Sequence, residues 1–273
     1  MGGLTLSEIQ PDRVAEARDK LLAGTFTRGK MREDKNGALV APNEFPRTPA
    51  TVTRYLATLS SLFSLAVKEW NLIGRNPVRD ITKPREARGR MRFLSDDERS
   101  ALLDACEASH WAPLRTLVLL AIATGARRGE LVSLKWTDVD LKAGRALVRE
   151  SKNDEPRVLP LVGKALEALR LLKLNDSAKS VFLFPNPNGL DAEGFYAFDS
   201  YWYKAVEKAG LDDFKFHDLR HTTASYLAQQ GASLLEIAEV LGHKTLAMVK
   251  RYSHLTTSHK TTVVERMTKE RGL

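Results

Sequence analysis

Six side chains carry the chemistry that this 273-residue sequence offers, and they fall in four short stretches. "ATGARRGELVSLKW" (123–136) supplies Arg127, and "SKNDEPRVLPL" (151–161) supplies Lys152. "FHDLRHTTASYL" (216–227) supplies His217 and Arg220, and "LGHKTLAMVKRYSH" (241–254) supplies His243 and Tyr252. None of the six is a carboxylate. A phosphodiester in its pentacoordinate transition state needs such a set, because guanidinium forks hold the charge growing on its two non-bridging oxygens. A tyrosine oxygen can attack phosphorus, and the aryl phosphate ester it forms conserves the energy of the broken bond. The departing alkoxide needs a proton, which lysine or histidine can give.

Each residue also has a plainer reading. Leu234, Ile237, Ala238 and Leu241 recur at helical spacing and Gly242 reads as a helix stop. On the short helix that follows, Tyr252 is ordinarily a core aromatic with its hydroxyl on a backbone partner. Arg128 reads as a solvated neighbour of Arg127, Glu130 as a brace for an arginine or a helix, and His221 as structural. Lys135 and Lys142 compete with Lys152. His217 and His221, four apart, could face a metal, but no acidic ligand stands in register with them. The "DVD" pair (138–140) lies in a strand–turn segment, and no GxxxxGK[ST] loop occurs. No metal and no other cofactor is expected.

Charge points to a polyanion. The net charge is +8, and it is uneven: residues 1–94 hold 17 Lys and Arg against 10 Asp and Glu, residues 95–273 hold 25 against 24. The densest part, "RDITKPREARGRMR" (79–92), carries six basic and two acidic residues. Each phosphate such a segment neutralises releases counterions; the alternative is a linker that is merely solvated. One cysteine, Cys106, excludes an internal disulfide framework and a cysteine zinc site. The longest strongly apolar run, "LVLLAIA" (117–123), is too short to cross a bilayer. The N-terminus lacks the layout of a secretory signal. A cytoplasmic protein away from the membrane is expected.

The elements that must position these residues read as mainly helical, in two domains. "PDRVAEARDKLL" (11–22) opens a helix with proline in its first turn. Residues 23–48 are polar, without clear period, and are expected to be loop. A long helix restarts at Thr48 and Pro49, with Val52, Tyr55, Leu56, Leu59, Leu62, Phe63, Ala66, Val67 and Trp70 on one broad apolar face. Ser95 and Glu98 form a capping-box pattern that opens the second domain. A buried helix ends at Gly125. "TDVDLKAGRALVRE" and "RVLPL" read as a small antiparallel sheet, and helices follow. The expected boundaries are 1–83 for a helical DNA-binding domain, 84–94 for a basic linker and 95–273 for the catalytic domain.

The four stretches, in this order, resemble the tyrosine recombinase (phage integrase) family. "TGARRGEL" resembles its T-G-x-R-x-x-E-L box, the lysine before "RVLPL" its hairpin lysine, "HDLRHT" its H-x-x-R-H box, and "LGH" with a tyrosine nine residues on its terminal box. "TVTRYLATLSSLFSLAVKEWNLIGRNPV" is similar to the family's core-binding domain. The resemblance implies that Arg127 and Arg220 clamp the scissile phosphate and that Lys152 protonates the leaving 5′ oxygen. It implies that His217 assists proton transfer at the tyrosine, that His243 hydrogen-bonds the phosphate, and that Tyr252 is the nucleophile. A bacterial or phage-encoded site-specific recombinase follows, integrating or excising a mobile element without metal or ATP. It would act on double-stranded DNA as a homotetramer and be a monomer when free. Arg85, Arg88 and Arg90 of the linker are expected on the DNA backbone. Many such integrases carry a further N-terminal domain for arm-type sites, so this chain is expected to be a simpler recombinase or a shortened one. The competing functions are a type IB topoisomerase and a non-catalytic DNA-binding protein, for which "SLLEIAEVLGHKTLAMVKRY" offers a helix-turn-helix pattern.

Overall fold

A computed structural model describes residues 3–28, 32–33, 39–40, 42–87, 91–149, 156–175, 180–185, 198–256, 264–265 and 267–272. The chain divides into two compact units, residues 1–90 and 91–273. It is mainly helical with small antiparallel sheets, as the sequence pattern predicts. Among the described residues, no helix is long and apolar enough to cross a membrane.

In the first unit, α1 (Pro11–Ala23) and α2 (Pro49–Lys68) both begin with proline, where the missing N–H costs nothing. The Thr48 hydroxyl caps α2 by accepting from the Thr51 amide at 3.3 Å. Val14, Val52, Leu56, Phe63 and Val78 form the core. The "GRNP" break is pinned to α2 by Asn76, whose Nδ2 donates to the Ser60 carbonyl and to the Ser64 hydroxyl at 2.8 and 2.9 Å. The broad apolar face expected of α2 is narrower, since Tyr55, Leu62 and Trp70 are exposed.

Residues 23–48 correct the expected loop. They contain β1 (Thr25–Arg28) paired antiparallel with β4 (Asn43–Pro46), and β2 (Arg32–Glu33) paired with β3 (Leu39–Val40). Each outer strand has one large apolar residue, too few for a period-2 signal. Phe26 faces Phe45 in the register, and their rings pack at 5.9 Å.

In the second unit, α3 (Asp96–Glu107) starts at the Ser95–Glu98 capping box, and the buried helix α4 (Leu114–Thr124) runs through the core. Next come α5 (Arg128–Val132) and a sheet of β5 (Val139–Asp140), β6 (Arg145–Val148) and β7 (Arg157–Pro160). The sheet is antiparallel, in the order β5-β6-β7, with Ala146 opposite Leu159. Then come α6 (Gly163–Leu174), α7 (Asp199–Lys208), α8 (Asp218–Gln229) and α9 (Leu234–Leu241). Two 3-10 turns, Leu246–Met248 and Lys250–Thr256, come after α9. The main core gathers Leu117, Leu120, Leu131, Leu159, Leu169 and Trp202. A smaller cluster joins α8 and α9 to the last turn through Ala224, Ile237, Leu241, Val249 and Tyr252.

Candidate active site

Three helices of the second unit meet at a glycine. Gly125 ends α4 with φ of +60°, in the left-handed region that residues with a Cβ avoid. A Cβ there would collide with Leu241 of α9 and press on Thr223 of α8. The Gly125 carbonyl accepts from Arg220 Nη1 at 2.7 Å. Arg220 lies in the first turn of α8, is 4% exposed, and keeps a buried Nη2 without a hydrogen-bond partner. Burial, then the charges of Arg127 and Arg157, push its pKa down to about 10.

Two residues past Gly125, Arg127 precedes α5. Its amide donates to Glu130 Oε2 at 2.7 Å and its Nη1 to Glu130 Oε1 at 2.8 Å. Arg157, the first residue of β7, donates from Nη2 to the same carboxylate at 2.7 Å and from Nη1 to the Val240 carbonyl at 2.8 Å. Glu130 is 4% exposed. Burial works against its ionisation, but the Arg127 amide and the two guanidiniums outweigh burial and hold its pKa below the usual carboxylate value. It is a brace, as its spacing from Arg127 predicts. The share taken by Arg157 had no sequence signal, because it depends on where β7 packs.

His243 follows Gly242, whose φ is +65° and whose missing side chain leaves room for Arg157: a Cβ would lie 3.0 Å from Arg157 Cδ. Arg127 Nη2 reaches the Gly242 carbonyl at 3.4 Å. The His243 amide is held by the Ala238 carbonyl at 2.8 Å, while its Nδ1 is buried and unpartnered. Burial, then Arg220, Arg127 and Arg157, lower its pKa to about 4, so the ring is neutral at neutral pH.

Tyr252 is 2% exposed, with its ring packed in the smaller hydrophobic cluster. Its hydroxyl is hydrogen-bonded to Nδ1 of His221. Burial raises the phenol pKa, against the charges of Arg251 and Arg220. The imidazole that touches it is that of His221, one helical turn along α8 from His217, the residue to which the resemblance gives proton transfer at the tyrosine. His217 is exposed at the start of α8, and its ring meets that of His221 edge-on at 5.3 Å between centroids. Partial burial, then Arg220, lower its pKa.

Arg127, Arg220, His217, His243 and Tyr252 thus sit where one another's charges act on them. Arg128 departs from its solvated reading: its two Nη atoms clasp Asp199 at 2.7 and 2.8 Å, and its guanidinium stacks on Phe198 at 4.4 Å. Lys135 is held over the Phe182 ring at 5.4 Å. Lys152, Arg88 and Arg90 lie outside the described residues, and Arg85 is exposed in the first unit. Among the described residues no three His, Cys, Asp or Glu side chains are grouped as a metal would need. The cluster can bind an anion between two guanidiniums and an imidazole, with a phenol close by.

The family model described as "Phage integrase family" matches residues 92–259. The chain is similar to the integrase of Salmonella phage P22, with 31% identity over 228 residues, 79% of this chain and 57% of that protein. It is similar to the shufflon-specific DNA recombinase of Escherichia coli, with 35% identity over 216 residues, 77% and 52% of the two chains. The chain spans about half the length of these curated relatives. Its fold is that of the Tn1549 transposon integrase solved with a circular intermediate DNA, at a TM-score of 0.72, 16% identity, and 97% and 88% coverage.

Proposed function

The chain belongs to the phage integrase family of tyrosine recombinases, and on that premise we propose that it cuts and rejoins double-stranded DNA through a covalent link to Tyr252. The observation that carries the reading is the buried positive charge around Arg220. One Nη atom is fixed on Gly125, the other has no partner, and Arg127 stands nearby. Glu130, the neighbouring carboxylate, already accepts from Arg127 and Arg157. A desolvated guanidinium with an idle donor is costly unless an anion completes it. A scissile phosphate would do so, and would gain most as its equatorial oxygens take on charge.

In this reading Arg127 and Arg220 clamp the phosphate and His243 donates to a non-bridging oxygen. The Tyr252 oxygen attacks phosphorus to give a 3′-phosphotyrosyl ester, and Lys152 protonates the leaving 5′ oxygen. A 5′-hydroxyl from a second duplex then attacks the ester and strands are exchanged. A homotetramer on DNA, built from monomers, is the assembly proposed for that exchange. Topoisomerase-like relaxation is less favoured, because the relatives are recombinases and an integrase. Nicked duplexes drawn from a randomised pool test the reading: the wild-type protein should form an SDS-stable adduct, and Tyr252→Phe should bind the recovered duplexes without forming one. An adduct with the phenylalanine variant would remove Tyr252 from the chemistry.

A further inference from the structure

We propose that Thr222 and Tyr226 are positioning residues, which set the direction of the Arg220 guanidinium by fixing the roll of α8 against the backbone of Leu94. This rests on the reading of Arg220 as half of the phosphate clamp. Leu94 precedes the Ser95 cap of α3 and is fully buried. Its amide donates to the Thr222 hydroxyl at 3.1 Å, and its carbonyl accepts from the Tyr226 hydroxyl at 3.1 Å. Both polar groups of one backbone residue are thus held by side chains one turn apart on α8. Thr222 donates its own proton to the Asp218 carbonyl at 3.0 Å, so the hydroxyl presents a lone pair to Leu94. Arg99 braces Tyr226, with Nη1 donating to its hydroxyl at 3.5 Å and the guanidinium 5.7 Å from the ring centroid.

Apolar packing alone does not fix this helix. Its buried side chains include Asp218, Arg220, Thr222, Thr223 and Ser225 beside only Leu219, Ala224 and Ala228. Apolar contact is non-directional and tolerates rotation, whereas a hydrogen bond weakens steeply once bent. At about 100° per residue, Arg220 and Thr222 project from nearly opposite flanks of α8. On the α4 flank, Thr223 donates to the Ile122 carbonyl at 2.8 Å and Arg220 to that of Gly125 at 2.7 Å. On the other flank, Thr222 and Tyr226 hold Leu94. A roll of about 10° would move a guanidinium about 6 Å from the helix axis by about 1 Å, and a misplacement of that size can cost about 100-fold in rate.

A merely structural role for the two hydroxyls would be to hold Leu94 in place. Their loss would then lower stability and leave cleavage by each folded molecule as it was. A positioning role predicts a loss that depends on the charge of the reacting group. A methylphosphonate at the scissile position has a methyl group in place of one non-bridging oxygen and is uncharged. Its transition state asks less of a guanidinium, so a misdirected Arg220 costs less on it than on a phosphodiester.

The full chain would be tested at saturating duplex, by single-turnover adduct formation on nicked duplexes recovered by covalent capture from a randomised pool. The captured adducts locate the scissile position, which is then made as phosphate or as methylphosphonate. Thr222→Val and Tyr226→Phe should each slow the phosphate reaction by about tenfold or more, with duplex affinity changed by less than about twofold. On the methylphosphonate the same losses should shrink to under about threefold, and Thr222→Ser, which keeps the hydroxyl, should restore the phosphate rate. Unchanged rates, equal losses on both substrates, or a serine variant as slow as the valine one would overturn the proposal. If neither variant folds, hydrogen exchange in the wild type decides: the Leu94 amide should be as protected as the amides of α8, and rapid exchange there would overturn it. An Arg220→Ala defect equal on both substrates would defeat the clamp reading, and absence of any adduct with the wild type the reading of Tyr252; the proposal falls with either.

Discussion

Arg157 lies against Glu130 at 2.7 Å from Nη2 to Oε2, and its other Nη atom holds the Val240 carbonyl at 2.8 Å. One guanidinium thereby ties the first residue of β7 to the turn that presents Arg127 and to the end of α9 that presents His243. Glu130→Gln should leave two poorly solvated guanidiniums without a counter-charge and cost about 3 kcal/mol of stability. Urea unfolding reads this directly, and an unchanged midpoint would mean that the carboxylate is not what holds the site together.

The linker and the clamp should separate by salt. Replacing Arg85, Arg88 and Arg90 with alanine removes up to three phosphate contacts, and the log–log salt slope of DNA binding should shallow by about 0.9 for each. Arg127→Ala should change the slope by at most about one unit and yet lower cleavage by orders of magnitude, because on the proposed reading its charge would act in the transition state. Unchanged affinity and slope in the triple variant would show a linker that is only solvated.

Strand cleavage should persist in excess EDTA and without nucleotide. Arg127, Arg220 and His243 would supply the charge stabilisation, and Lys152 the leaving-group proton. A strict requirement for added Mg²⁺ would contradict that division of labour.

Acid stability should carry the mark of Glu98. Its carboxylate accepts from Arg92 Nη1 at 2.9 Å and from the Ser95 amide at 2.9 Å. The Arg92 guanidinium holds its pKa at about 2, against 4.5 for a free glutamate. A folded pKa below the unfolded one gives stability that is full above pH 4.5 and lost as pH falls toward 2. Glu98→Gln keeps the cap's shape without the charge, so its Tm should fall less than that of the wild type across this window. Parallel losses would show that the pair contributes nothing to folding.

Helix ends were the most legible part of the sequence. Pro11, Thr48 with Pro49, Ser95 with Glu98, and Gly125 each mark a boundary through local backbone chemistry, and the helices begin or stop there. Residues 25–46 were illegible, because four-residue strands are held by pairing across the hairpin and not by a pattern within either strand. Among the site residues, four short stretches offered Arg127, Lys152, His217, Arg220, His243 and Tyr252, and the family resemblance implied their roles; local spacing alone went no further. The sequence did not show Arg157 on Glu130, Arg128 on Asp199, or His221 on Tyr252, whose partners are 27, 71 and 31 residues away in the chain. Those contacts depend on packing between elements, which a local window cannot see.

The Gly125 carbonyl and the Arg220 guanidinium are 95 residues apart in the chain, and Arg127 and the Gly242 carbonyl are 115 apart. Contacts this distant form only after long loops have closed. During synthesis the arginine near position 127 leaves the ribosome long before its companions exist, since domains take shape as the chain emerges. A nascent chain that has not reached position 220 therefore has neither the completed anion cradle nor Tyr252. On the proposed reading the order of translation acts as a safety interlock, because Tyr252 follows Arg127, Lys152, His217, Arg220 and His243 in the chain.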